Sequence, residues 1–220
     1  MLFGNLDLLR YDPLEFLRLV FMVAVAVAVA ITVHEFSHAL AATRLGDDTP
    51  RLQGRLSLNP LAHLDPLGTL FLFLAGFGWG KPVMVDRGRL RNGYRSMGGV
   101  ALAGPASGLV AAGLLSVVLR ATDVSLRSTL GEMLLITITL NIILSVFNLI
   151  PLPPLDGHKV AVGFLPYPMA LSFQRLEHYG IMPLLMLIIV DRFMGVSIIW
   201  GIIRPGVNFF SNLFLGGALL

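Results

Sequence analysis

Three ionisable residues within five positions, His34, Glu35 and His38 in ITVHEFSHALAA (31–42), are the chain's densest chemical cluster. Side chains four apart on a helix project from one face a single turn from each other, so the two imidazoles can grip one ion. Glu35 lies beside that face. A zinc ion held in this way brings the pKa of water toward neutrality, and an adjacent glutamate can take the proton as the water attacks a carbonyl. The spacing therefore points to metal-assisted hydrolysis with Glu35 as general base.

A centre of this kind takes three protein ligands and leaves a fourth position for water. With no cysteine in the chain, disulfides are excluded and the ligands must be nitrogen and oxygen. Asp156, in NLIPLPPLDGHKV (148–160), is the expected third ligand, and His158 two residues on is its rival. Pro151, Pro153 and Pro154 stop the helix before Asp156. Unwound backbone inside a membrane is tolerated where it lines protein or a water cavity, which places Asp156 at a cavity wall. Asn148 is a candidate for hydrogen-bonding a substrate carbonyl or oxyanion; the alternative is that it satisfies backbone groups freed by the prolines. His63 and His178 fall in loops, where histidine is usually solvated, and receive no role. Asp65, Glu177 and Asp191 read as interface charges.

The elements that must position these residues are membrane helices. Of 220 residues 55% are hydrophobic and 13% charged, and the mean hydropathy is +0.80. The charges crowd into short segments and leave long apolar stretches, as in a polytopic protein whose loops carry the polarity. A net charge of +3 is explained by such loops, so a nucleic-acid partner is set aside. An ionisable side chain near the bilayer centre costs about 2.5–3.5 kcal/mol, so three in five residues require compensation. One Zn2+ per chain compensates all three; a buried polar network or a proton relay is the alternative.

The pattern predicts a single all-α integral-membrane domain over 1–220. Core helices are expected at 19–42, 97–119 and 133–155, followed by one to three further spans within 176–220. The first apolar stretch lacks a small-residue cleavage site and reads as a retained span. Residues 43–96 form a membrane-associated loop, with an extended part at 47–60 and an apolar patch at 67–80. As a helix the patch would reach only about 21 Å, and Gly68, Gly76, Gly78 and Gly80 weaken it, so it is expected to be re-entrant or surface-lying. Helices one and three then run in the same direction, putting His34, His38 and Asp156 at one face. Lys81, Arg87, Arg89, Arg91 and Arg95 outnumber Asp86 in 81–96, whereas Arg120 and Arg127 balance Asp123 and Glu132 in 120–132. The positive-inside rule then opens the site toward the cytoplasm.

These residues resemble the site-2 protease family of intramembrane metalloproteases. The likeness covers HEFSHALAA (34–42), GRLSLNPLAHLDPLGTL (54–70), AGPASG (103–108) and NLIPLPPLDG (148–157). It implies zinc on His34, His38 and Asp156, Glu35 as general base, and transmembrane helices as substrates. The chain is most similar to the small branch with neither an inserted PDZ domain nor a nucleotide-sensing domain. The family often carries Asn where this chain has Gly108, so a hydrogen bond expected from the second helix is missing or supplied elsewhere. A substrate helix must unwind to be cut, and the extended part at 47–60 is expected to accept the released strand by edge pairing. The partners expected are a membrane-protein substrate and the lipid bilayer, with oligomeric state open. The competing readings are an ion or proton transporter using intramembrane His and Asp, and an inactive membrane scaffold.

Overall fold

The computed structural model describes residues 6–75, 78–122, 124–195 and 197–216; Gly76 of the apolar patch, Asp123 and residues 217–220 lie outside them. After a short helix α1 (Leu6–Tyr11), the long helix α2 (Pro13–Arg44) starts at a capping Asp12, whose carboxylate accepts the Glu15 amide at 3.1 Å, with Pro13 at its first position. Its 32 residues rise about 48 Å, more than a hydrocarbon core of roughly 30 Å, so it overshoots one membrane face. The Val-Ala alternation at 23–30 is helical.

Three more helices are long and apolar enough to cross a membrane: α5 (Gly93–Ala121), α6 (Thr129–Asn148) and α10 (Ile198–Leu215). The chain is a polytopic all-α membrane protein. Helix α5 packs between α2 and α6. Ala26, Ala30, Ala39 and Ala42 of α2 and Gly104, Gly108 and Ala112 of α5 are buried, and small residues of this kind let membrane helices approach closely. Ile138 and Ile142 of α6, fully buried, fill the space toward Ile203 and Val207 of α10. Leu102, Val110, Leu114 and Val117 face outward along α5, as lipid-contacting residues do. At one end Arg18 pairs with Glu15 at 2.9 Å and with Glu132, tying the start of α2 to the start of α6.

Between α2 and α5 the chain does not cross. Helix α4 (Pro66–Ala75) has 10 residues, about 15 Å, and an antiparallel bridge joins Leu64 to Gly80 across it, so the segment returns to where it began. A Cβ on Gly68 would stand 2.9 Å from the Trp79 carbonyl carbon, so only glycine lets the two arms close. The extended part expected at 47–60 is instead largely turned. Asp47 accepts the Thr49 amide and Pro50 opens a helical turn α3 (Thr49–Leu52), which ends at Gly54 with φ +71; a 3-10 turn follows at Pro60–Ala62. Residues 81–86 carry no regular secondary structure, and Asp86 at their end is extended.

The third core helix, expected to 155, ends at Asn148. Seven irregular residues follow, because proline at 151, 153 and 154 cannot donate the bonds that would continue it. Asp156 then begins a new helix, α7 (Asp156–Phe164), followed by α8 (Tyr167–Glu177) and α9 (Met182–Met194). In α9 the carboxylate of Asp191 accepts the Ile199 amide at 3.0 Å near the start of α10.

Candidate active site

Two turns from its C-terminus, α2 presents His34 and His38 on one face, 5% and 7% exposed. Asp156 at the start of α7 reaches both: its Oδ2 lies 3.0 Å from His34 Nε2 and 3.1 Å from His38 Nε2. The three donors lie within 4.8 Å of one another, the one group of three or more metal-ligating side chains found among the described residues. Donors at about 2.0–2.2 Å in a tetrahedral zinc site stand roughly 3.3 Å from each other, close to the spacing observed.

Hydrogen-bond logic tests whether these residues fit a metal. His38 Nδ1 lies 2.7 Å from the Val100 carbonyl, which can only accept, so Nδ1 carries the proton. In the neutral ring Nε2 then holds a lone pair, and it faces a carboxylate oxygen that also only accepts. A ring proton or a metal cation must therefore lie between them; His34, whose Nδ1 has no partner among the described residues, can either donate through Nε2 to the same oxygen or present a lone pair to a cation. One cation satisfies all three atoms at once. The residues fit zinc in donor type and number, and His38 fits it in tautomer.

The surrounding backbone is shaped to this group. A Cβ on Gly104 would stand 2.6 Å from His38 Cε1 and 2.8 Å from His34 Cε1, so α5 can cover both imidazoles only with glycine there. A Cβ on Gly157 would lie 2.5 Å from the Ile150 carbonyl oxygen; glycine after Asp156 lets α7 start hard against the irregular stretch.

Glu35, next on α2, accepts the amide of Val83 at 3.2 Å through Oε2. Val83 belongs to the 81–86 chain, whose Lys81 amide donates to the His63 carbonyl at 2.7 Å. His63 is fully buried rather than solvated: its Nε2 bonds the Ser57 carbonyl at 2.7 Å, closing the turn ahead of α4. Arg55, also buried, donates to the Ala62 carbonyl.

The remaining candidates separate. His158 is turned away from the ligands, with Nε2 2.7 Å from the Phe173 carbonyl, so it joins α7 to α8. Asn148 donates through Nδ2 to the Leu144 carbonyl at 2.9 Å in its own helix, which accounts for its amide without a substrate and without the prolines. His178 caps the end of α8. Asp65 is more than an interface charge: Oδ1 takes the Gly68 amide at 2.8 Å and starts α4. At Gly108 a Cβ would press on Ser145 Oγ, with Asn141 Oδ1 3.7 Å away, so the polar groups between α5 and α6 come from α6. Val83, Val100 and Gly104 act through backbone, which no side-chain pattern announces; AGPASG was visible but not its contact with the histidines.

Membrane helices and a cluster of two histidines and an aspartate with a neighbouring carboxylate define a polytopic membrane protein with a group of side chains that could hold a metal ion. No protein-family model matches the chain, and no solved structure does. It is 34% identical over 216 residues to "Putative zinc metalloprotease YwhC" of Bacillus subtilis, covering 95% of this chain and 96% of that protein. Two relatives carry the same description under the name Rip2. That of Mycolicibacterium smegmatis is 32% identical over 66% of this chain and 58% of its own length; that of Mycobacterium tuberculosis is 33% identical over 67% and 58%. The chain belongs to the zinc metalloprotease family of YwhC.

Proposed function

We propose that the chain is an intramembrane endopeptidase of the site-2 protease type, hydrolysing peptide bonds in transmembrane helices of membrane-protein substrates. The observation that carries this reading is the meeting of His34, His38 and Asp156 around one point, with Glu35 adjacent on the same helix. His34, His38 and Asp156 would hold one zinc ion, which when bound supplies Lewis acidity toward a carbonyl and toward water. Glu35 is the proton acceptor: with Oε2 engaged by Val83, its second oxygen is left to take a proton from the attacking water and to return it to the leaving amine. Asn148 would have to release Leu144 before it could steady an oxyanion.

A substrate helix already satisfies its own carbonyls, so a scissile bond becomes accessible only after local unwinding. The 81–86 chain, which carries no regular secondary structure and lies beside Glu35, is the segment suited to receive the unwound substrate by strand addition. The basic excess of 81–96 supports an active site opening toward the cytoplasm.

The test is metal analysis of purified protein beside cleavage of a library of single-span helices, with Glu35→Gln as control. One zinc per chain and cleavage abolished by Glu35→Gln are expected. Zinc or proton transport by vesicles without proteolysis would overturn the reading in favour of a transporter.

A further inference from the structure

Asp47 is a fully buried carboxylate three residues beyond the end of α2, with no ion-pair contact among those described. Burying a carboxylate is costly unless donors surround it, and here they do. Oδ1 accepts the Thr49 amide at 3.0 Å and the Thr49 hydroxyl at 2.6 Å, and Oδ2 accepts the Asp86 amide at 2.7 Å. Asp47 is itself hung on α2, its own amide donating to the Ala42 carbonyl at 3.0 Å. The Asp86 bond fastens the far end of the 81–86 chain to the helix that carries Glu35. The near end is fastened by the Lys81 amide on the His63 carbonyl, and Val83, between the two, gives its amide to Glu35. Two carboxylates on and just beyond one helix thus set the line along which this chain runs.

We infer that Asp47 is a positioning residue for the general base: by holding the Asp86 amide it fixes the 81–86 chain where the Val83 amide meets Glu35. The inference rests on the proteolytic role proposed for Glu35, and its structural half can be read without activity. Released at Asp86, the chain would keep its tether at Lys81 and pivot, and Glu35 would lose the donor that holds one oxygen and directs the other. Zinc would stay, since Asp47 touches no ligand.

The experiment uses the full chain in detergent and in proteoliposomes, reading zinc content, kcat and KM on a single-span substrate, and amide exchange across 81–86. Asp47→Asn presents an amide NH2 to at least one of the donors now satisfied. It is expected to keep zinc and KM, to lower kcat ~10- to 100-fold, since small misplacements far from the chemistry cost that much, and to speed exchange at Val83 and Asp86. Asp86→Pro deletes the same bond from the other side at a position whose φ of −91° is near that of proline. It should match Asp47→Asn, and the two together should be no worse than either, whereas Asp86→Ala, which keeps the N–H, should resemble wild type. Should Asp47→Asn cleave at full rate, lose activity only in step with zinc or folded protein, or leave Val83 exchange unchanged, the assignment falls. A wild-type protein that cuts nothing, while Asp47→Asn still frees the Val83 amide, would overturn the proteolytic reading and keep the tether.

Discussion

Glu35 and Val83, 48 residues apart in the chain, are joined by a hydrogen bond from the Val83 amide to Glu35 Oε2 at 3.2 Å. The bond couples the helix that carries the metal motif to the 81–86 chain beside it. Val83→Pro removes the donor. It should retain zinc and lower kcat about 10- to 100-fold, checked by metal analysis and single-span cleavage kinetics.

Ligation and proton transfer are separable. Glu35→Gln should bind zinc as wild type does while kcat falls by about 100- to 10,000-fold, the range that general acid–base groups supply. His34→Ala, His38→Ala and Asp156→Ala should each lose zinc, read by titration with a competing chelator.

His158 offers the converse control. Because its Nε2 bonds the Phe173 carbonyl, His158→Ala should leave zinc stoichiometry unchanged and cost about 0.5–1.5 kcal/mol of stability through loss of that bond between α7 and α8. A variant that lost its zinc while remaining folded would return His158 to the ligand set.

Gly104→Ala inserts a methyl group between α5 and the two imidazoles. Either the rings turn or the helices part, so zinc affinity should fall about 10- to 100-fold, as when a partner that orients a ligand is lost. Gly99→Ala, whose Cβ would meet only Leu45 at 3.9 Å, should be neutral in the same titration.

Asp47 makes stability depend on pH. Burial opposes its ionisation, but bonds from the Thr49 hydroxyl and amide and the Asp86 amide, with the charge of Arg89 nearby, outweigh that and hold its carboxyl below the ordinary value. A depressed folded-state pKa stabilises the fold above the unfolded value of about 3.9 and loses that contribution as pH falls through the folded one. The difference in melting temperature between wild type and Asp47→Asn should therefore be constant from neutral pH to about pH 4 and shrink below it. Asp86 and Arg89 face the same carboxylate, so Arg89→Gln should move the transition toward higher pH.

Much of this protein was legible from local chemistry. The spacing of His34 and His38, the charge-free runs and the prolines after Asn148 each carry their meaning within a few residues, because helical periodicity, bilayer thickness and the missing proline N–H act locally. The ligand set could be narrowed to Asp156 or His158 but no further, since both lie past the same turn and only the packing of α7 on α8 sends one imidazole to Phe173. Asp47, Arg55 and His63 sit in a polar stretch that reads as a solvated loop, yet all three are buried. What they bind is mostly main chain, and main-chain amides and carbonyls look alike in every sequence. The chain by itself thus determined the membrane helices and the chemistry of the metal motif. Tertiary structure alone decided which backbone groups meet Glu35, His38 and Asp47, because those contacts depend on where distant segments come to rest.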